Sequence, residues 1–205
     1  MDIIVKNLCK SFGDKQVLNN VNAVIPCGRV TALMGQSGVG KTTLLNIMMG
    51  FVAADSGVVE NVPQKKSAVF QENRLCESFS VISNIKMVNG SLDNKVIMEH
   101  LEAVGLGAEA DHKVSTLSGG MKRRVALVRA ILAEKDVLFL DEPFKGLDEE
   151  TLEKVQNYLH NNIKGLTVVM VTHQIEEARA LGADVILLKN GATEYTTAIR
   201  PLLLK

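Results

Sequence analysis

The sequence predicts an α/β fold in which a mostly parallel central sheet is flanked by helices and interrupted by a small helical insertion. Three observations lead there. Short apolar runs at 30–34, 137–140 and 167–171 alternate with segments whose apolar residues recur at helical spacing. Runs of that kind are buried on both faces, as in parallel sheets covered by helices. A glycine-rich loop at 35–42 joins the first run to a helical stretch, and from 72 to about 118 the strand pattern gives way to helical periodicity.

Taken in order, Ile3-Ile4-Val5 and 21–25 read as strands, with a loop at 11–15 that carries Phe12. Pro26-Cys27-Gly28 is a turn: proline presets φ, and Gly28 can take a positive one. The strand 30–34 leads through the glycine-rich loop to a helix over 41–49, and Gly50 sits where a helix C-terminal glycine belongs. Ser56-Gly57 and Val62-Pro63 punctuate a short β segment, and Ala68-Val69-Phe70 makes a strand ending at Gln71. In the insertion, about 72–120, Ile85, Val88, Val96, Ile97, Leu101 and Val104 follow helical spacing, broken by Asn89-Gly90 and Gly105-Leu106-Gly107. After Leu117-Ser118-Gly119-Gly120 a helix carries the stripe Met121, Val125, Val128, Leu132. The strand 137–140 ends in Asp141-Glu142. Asp148 suits the N-cap of a helix with Glu149 and Glu150 in its first turn and Leu152, Val155, Leu159 and Ile163 on one face. The strand 167–171 ends at Thr172-His173, a short helix 175–181 follows, and 184–189 is the last strand. Residues 1–205 read as one domain, with its core in about 1–71 and 121–205.

Lys+Arg and Asp+Glu both number 23, so no net field draws the chain to nucleic acid, and no direct nucleic-acid partner is expected. Cys9, Cys27 and Cys76 lie far apart without metal-ligand spacing and read as reduced, partly buried thiols. The N-terminus lacks the pattern of a signal peptide, and no run approaches the about 18 apolar residues of a membrane span. A soluble, intracellular protein is expected.

Gly35-Gln36-Ser37-Gly38-Val39-Gly40-Lys41-Thr42 meets the phosphate-binding pattern G-x-x-x-x-G-K-[ST] at every fixed position. Backbone N–H groups of such a loop point at phosphate oxygens, and the helix N-terminus adds its dipole. These residues and Thr43 are the candidate nucleotide contacts, with Lys41 reaching the β/γ-phosphates and Thr42 ligating Mg²⁺. Asp141 and Glu142 stand at the carboxyl end of an apolar strand, where ligand sites of open α/β sheets lie. Asp141 is expected to hold Mg²⁺, and Glu142 to orient and deprotonate the attacking water. Ser118-Gly119-Gly120 before a helix suits an anion, but taken alone it reads first as an ordinary N-cap.

The phosphate loop, Gln71, Leu117-Ser118-Gly119-Gly120-Met121, Asp141-Glu142, Asp148 and His173 occur in the order and context of the ATP-binding cassette family. The resemblance covers essentially the whole chain. It implies a P-loop NTPase fold with an N-terminal antiparallel β subdomain and an inserted helical subdomain. It also implies a head-to-tail dimer, homodimer or paralogous heterodimer, closed by ATP bound between the phosphate loop of one copy and Ser118, Gly119, Gly120 and Met121 of the other. Gln71 would sense metal and γ-phosphate, His173 would contact the γ-phosphate, and Asp148 would cross the dimer interface while capping its helix. Phe12 matches the aromatic that stacks on adenine, with a packed loop aromatic as the alternative. Leu-Ser-Gly-Gly-Met and Asp141-Glu142-Pro143-Phe144 resemble the nitrate, sulfonate and taurine importer branch, from which Lys145 and Gln174 depart. The implied role is the ATPase subunit of a bacterial importer, on the cytoplasmic face of the cell membrane. Its partners would be separate transmembrane permease subunits and an extracytoplasmic substrate-binding protein. An exporter or lipid-release ATPase, or a soluble cassette protein acting on nucleic acid or the ribosome, are the alternatives.

Overall fold

A computed structural model describes residues 1–195; the sequence expectations that reach into 196–205 lie outside the described residues. Among the described residues nine strands form two sheets. A three-stranded antiparallel sheet has the order β2-β1-β4, from β1 (Ile3–Phe12), β2 (Lys15–Ile25) and β4 (Ser56–Glu60). A six-stranded sheet has the order β5-β6-β7-β3-β8-β9. It comprises β3 (Val30–Met34), β5 (Lys66–Val69), β6 (Val137–Asp141), β7 (Thr167–Val171), β8 (Asp184–Lys189) and β9 (Ala192–Tyr195). All its pairings are parallel except that of β9 with β8.

The apolar runs are explained by what lies on each face. Every residue of β6 and β7 is buried. Leu138, Leu140, Val168 and Met170 turn to one apolar cluster, shared with α2 (Val81–Lys86), α3 (Asn94–Ala103), α4 (Gly119–Leu132) and α5 (Glu149–Asn162). Val137, Phe139, Val169 and Val171 turn to a second, shared with α1 (Lys41–Met49) and the antiparallel sheet. Side chains alternate across a strand, so a strand between two apolar layers has no polar position to spare.

Three sequence expectations are corrected. β1 and β2 are longer than the apolar runs and meet at Gly13-Asp14, so 11–15 is a tight hairpin rather than a loop. The alternation is hidden because the ladder shifts register between Val5 and Leu8 and again beyond it, with Asn7 and Asn20 at positive φ. After β8 the chain makes one further turn at Asn190 and Gly191, both at positive φ, and returns as β9. Asn-Gly is the preferred dipeptide of that hairpin turn. Cys27 and Cys76 are exposed and only Cys9 is partly buried. The turn at Gly28 does take a positive φ of 71°, and Gly50 closes α1 in the left-handed region at φ 86°.

Between β5 and α4, Ile85, Ile97, Leu101 and Val104 are fully buried, whereas Val88 and Val96 face solvent. His100 meets Tyr158 Oη at 2.7 Å and His112 meets Glu109 at 2.6 Å, so both ring nitrogens find partners that the sequence did not suggest. The strand-to-helix passage is held by Asn84, which is fully buried. Its Oδ1 accepts from Cys76 N at 2.8 Å and its Nδ2 donates to the carbonyls of Cys76 and Ser80, each at 3.0 Å. Among the described residues no helix is long and apolar enough to cross a membrane. Replacing Asn84 by Ala leaves the Cys76 N–H without its partner and takes one of two donors from each of the Cys76 and Ser80 carbonyls, and about 1–3 kcal/mol of stability should be lost. Urea unfolding of the variant reads that loss, and a midpoint equal to wild type would refute this account of the segment.

Candidate active site

The parallel strands β3, β6 and β7 end at one edge of the sheet, and the site is built from the residues that leave them. Beyond Met34 the loop 35–40 is wedged against two other strands. A Cβ on Gly35, at φ 143°, would lie 2.3 Å from Leu188 O of β8; one on Gly40, at φ 107°, would lie 2.6 Å from Leu18 Cδ2 and 2.9 Å from Val17 O of β2. Both positions need the missing side chain, for space and for backbone conformation. Lys41 opens α1, and its Nζ donates to the carbonyls of Gly35 and Gln36 at 2.8 Å each. The ammonium is thus curled inside the loop it anchors. Burial pushes its pKa down, and the nearby Glu142 and Asp141 charges oppose that push.

Thr42 Oγ1 donates to Asp141 Oδ1 at 3.3 Å. Asp141 is buried, which raises its carboxyl pKa against the Thr42 hydrogen bond. Asp141 pairs with Val171 across β6 and β7, and that register sets Glu142 beside Thr172-His173. Glu142 takes a left-handed φ of 48°, unusual for a residue with a side chain, and its N–H donates to Val171 O at 3.0 Å. Its Oε1 lies 3.8 Å from His173 Nδ1 and its Oε2 2.9 Å from Lys145 Nζ. Oε2 is buried yet accepts no directed hydrogen bond, so the contact with Lys145 is electrostatic. Beneath His173, the Thr172 hydroxyl donates to buried Glu177 and accepts from Gln174 N at 3.1 Å.

These residues open on one cleft of about 1140 Å³, lined by Phe12, 35–43, Gln71, Glu142 and His173. Phe12 is 52% exposed at its rim, with Lys10 Nζ 5.3 Å from the ring centroid, so it is not a packed core aromatic. Val17 and 187–190, which the sequence did not single out, complete the walls. Ser118, Gly119, Gly120, Met121 and Asp148 do not line the cleft. Ser118 caps α4 by accepting from Met121 N at 3.2 Å, and Asp148 caps α5 by accepting from Thr151 N at 2.9 Å. Gly120 lies close under the next turn, where a Cβ would come 3.2 Å from Gly146 O. Sequence reasoning missed Arg123, whose guanidinium is buried behind Asp141-Glu142. A basic residue on an otherwise apolar helix face was the available signal.

A phosphate-loop α/β domain with two acidic residues at the end of β6, separated from β3 by β7 in the same sheet, defines a nucleotide hydrolase. The sequence profile of ABC transporters matches residues 18–145. The chain is 37% identical over 198 residues to the aliphatic sulfonates import ATP-binding protein SsuB 3 of Pseudomonas syringae pv. tomato, covering 92% of this chain and 73% of that one. It is 38% identical to the corresponding SsuB of Corynebacterium glutamicum, covering 95% and 83%. It superposes on the dimeric structure of MJ0796, a bacterial ABC transporter cassette, with a TM-score of 0.85 at 30% identity, covering 98% of this chain and all of that one. A second MJ0796 structure, in a post-hydrolysis state bound to ADP and Pi, matches with a TM-score of 0.83 at 29% identity. The chain belongs to the ABC transporter family, and it is an ATP-binding, ATP-hydrolysing component of that family.

The Glu177 carboxyl gives the site a pH dependence. Burial raises its folded pKa above the about 4.3 of an unfolded glutamate, so the folded state binds the proton more tightly. Its contribution therefore favours folding at low pH and is lost as pH rises through the folded pKa. Glu177→Gln keeps an acceptor for Thr172 without the charge. Urea unfolding should show the variant gaining on wild type as pH rises from 4 to 8, and a gain independent of pH would refute the assignment.

Proposed function

We propose that the chain is the ATPase subunit of a bacterial importer of the nitrate, sulfonate and taurine branch, coupling ATP-driven dimer closure to transport through separate membrane subunits. The observation that carries this is the meeting of the phosphate loop, Thr42, Glu142, Gln71 and His173 around one cleft, with Asp141 bonded to Thr42 just behind it. Backbone N–H groups of 36–41 and the Lys41 ammonium take the phosphates, Lys41 exchanging the Gly35 and Gln36 carbonyls for phosphate oxygens. Phe12 offers its exposed ring to the adenine.

Glu142 accepts the proton of the attacking water as its oxygen bonds to the γ-phosphorus, and the bond to the β-phosphate oxygen breaks with its electron pair leaving on ADP. A positioned base of this kind contributes about 10²–10⁴-fold. His173, 3.8 Å from Glu142 and mostly exposed, faces the γ-phosphate and holds the water between them. The Thr42 hydroxyl, the Asp141 carboxylate it bonds and the carbonyl oxygen of the Gln71 amide would supply hard oxygen ligands, a donor set that fits Mg²⁺. When bound, that ion neutralises charge on the β- and γ-phosphates.

Ser118, Gly119, Gly120 and Met121 lie outside this cleft because they serve the nucleotide of a second copy, or of a paralogous cassette, and Asp148 stands at the same seam. Membrane permease subunits and an extracytoplasmic binding protein complete the transporter, placing this chain on the inner face of the membrane.

Purified protein should hydrolyse Mg-ATP, and Glu142→Gln should reduce turnover by at least about 10²-fold while keeping ATP affinity; equal rates would remove Glu142 as the base. Tagged Glu142→Gln protein, drawn from detergent-solubilised native membranes, should bring a polytopic membrane protein with it. Recovery with ribosomes or DNA and no membrane protein would overturn the transporter reading.

A further inference from the structure

We propose that Arg123 is a positioning residue for hydrolysis, a clamp that fixes the backbones of Gln71 and Glu142 relative to one another. The inference rests on the reading of Glu142 as the group that takes the proton of water. Arg123 lies one turn into α4 and is 3% exposed. Its Nε donates to Pro143 O at 3.1 Å. Nη1 donates to Phe70 O and to Asn73 Oδ1, the latter at 3.3 Å, and Nη2 donates to the carbonyls of Asp141 and Glu142. Its contacts among the described residues are neutral oxygens, drawn from only two segments, 70–73 and 141–143.

A buried cation placed among carbonyls is expensive to desolvate, and burial lowers the guanidinium pKa while Asp141 and Glu142 oppose this from beyond the contact shell. What the arrangement supplies is geometry. Guanidinium donors form a rigid planar fork, so oxygens held on its different arms keep a set separation. The Phe70 carbonyl belongs to the peptide that leads into Gln71. The Glu142 carbonyl belongs to a residue in the left-handed region, a conformation that persists only where the surroundings determine it. Holding that carbonyl from one side, with Val171 O holding the N–H from the other, fixes the Cα–Cβ direction of Glu142. No atom of Arg123 needs to touch nucleotide for this.

The test uses the full chain, with Mg-ATP turnover, the affinity of a fluorescent ATP analogue, and thermal melting. Arg123→Gln should lower kcat by about 10–100-fold, the scale of a misplaced catalytic group, with KM and analogue affinity within about threefold of wild type. Arg123→Lys keeps the charge but has no fork to span both segments, and should lower kcat by at least about tenfold, again with affinity kept. In a Glu142→Gln background, Arg123→Gln should remove no further activity. A kcat within about threefold of wild type in either folded variant, or equal losses of kcat and affinity, would overturn the clamp. If Arg123→Gln does not fold, the kcat-against-affinity split of Arg123→Lys decides. An active Glu142→Gln would instead bring down the assignment of the base, which separates the two failures.

Discussion

The site depends on a close approach of backbone to backbone. The phosphate loop has no room for side chains at Gly35 and Gly40, because β8 and β2 occupy the space a Cβ would need. That contact does more than explain two glycines. It welds the end of β3 to the strand beside it in the six-stranded sheet and to the separate antiparallel sheet, so the loop is gripped from both sheets at once. A loop held in that way keeps its N–H groups aimed before any anion arrives, and preorganised donors need no further ordering when charge enters. Lys41, folded onto the loop carbonyls, satisfies itself in the same small volume.

Around that fixed loop the charges are arranged by burial. Asp141, Lys41 and Arg123 are each nearly out of solvent and each has its charged form disfavoured by desolvation; the Asp141 carboxylate supports both cations, and each cation supports the carboxylate. Removing one member therefore leaves the remainder less well compensated, the usual consequence of cutting a buried network. Glu142 differs, since one carboxylate oxygen lacks a directed hydrogen bond and its nearest cation is Lys145, more than half exposed. With its cation largely in solvent, the pair is screened on the Lys145 side and contributes only about 0–1 kcal/mol.

Much of this was legible in the sequence, for physical reasons that differ from residue to residue. β6 and β7 announce themselves because both their faces are buried, and α1 because Gly40-Lys41 and Gly50 mark its two ends. The cleft residues from Gly35 to Thr43, with Gln71, Glu142 and His173, come together because strand ends in a parallel sheet share one edge. The full lengths of β1 and β2 were hidden by register shifts that break a period-2 pattern, and β9 by a strand too short and polar to show one, although Asn190-Gly191 signalled its turn. Arg123 could not be placed because its partners are carbonyl oxygens, which every residue carries and no sequence pattern distinguishes. Sequence reports side-chain chemistry well and main-chain acceptors hardly at all.

The grip on the phosphate loop also orders events in time. Gly35 is closed over by Leu188, and Gly191 lies against Val17, with Asn19 N donating to Gly191 O at 2.8 Å. The motif is therefore complete in the nascent chain long before β8, one of the two strands that shape it, has been synthesised. Contacts between residues so distant in sequence form late, after their loop-closure entropy has been overcome. The shape of the phosphate loop is therefore a product of strands far apart in the chain, β2 before it and β8 long after it, as much as of the loop's own residues.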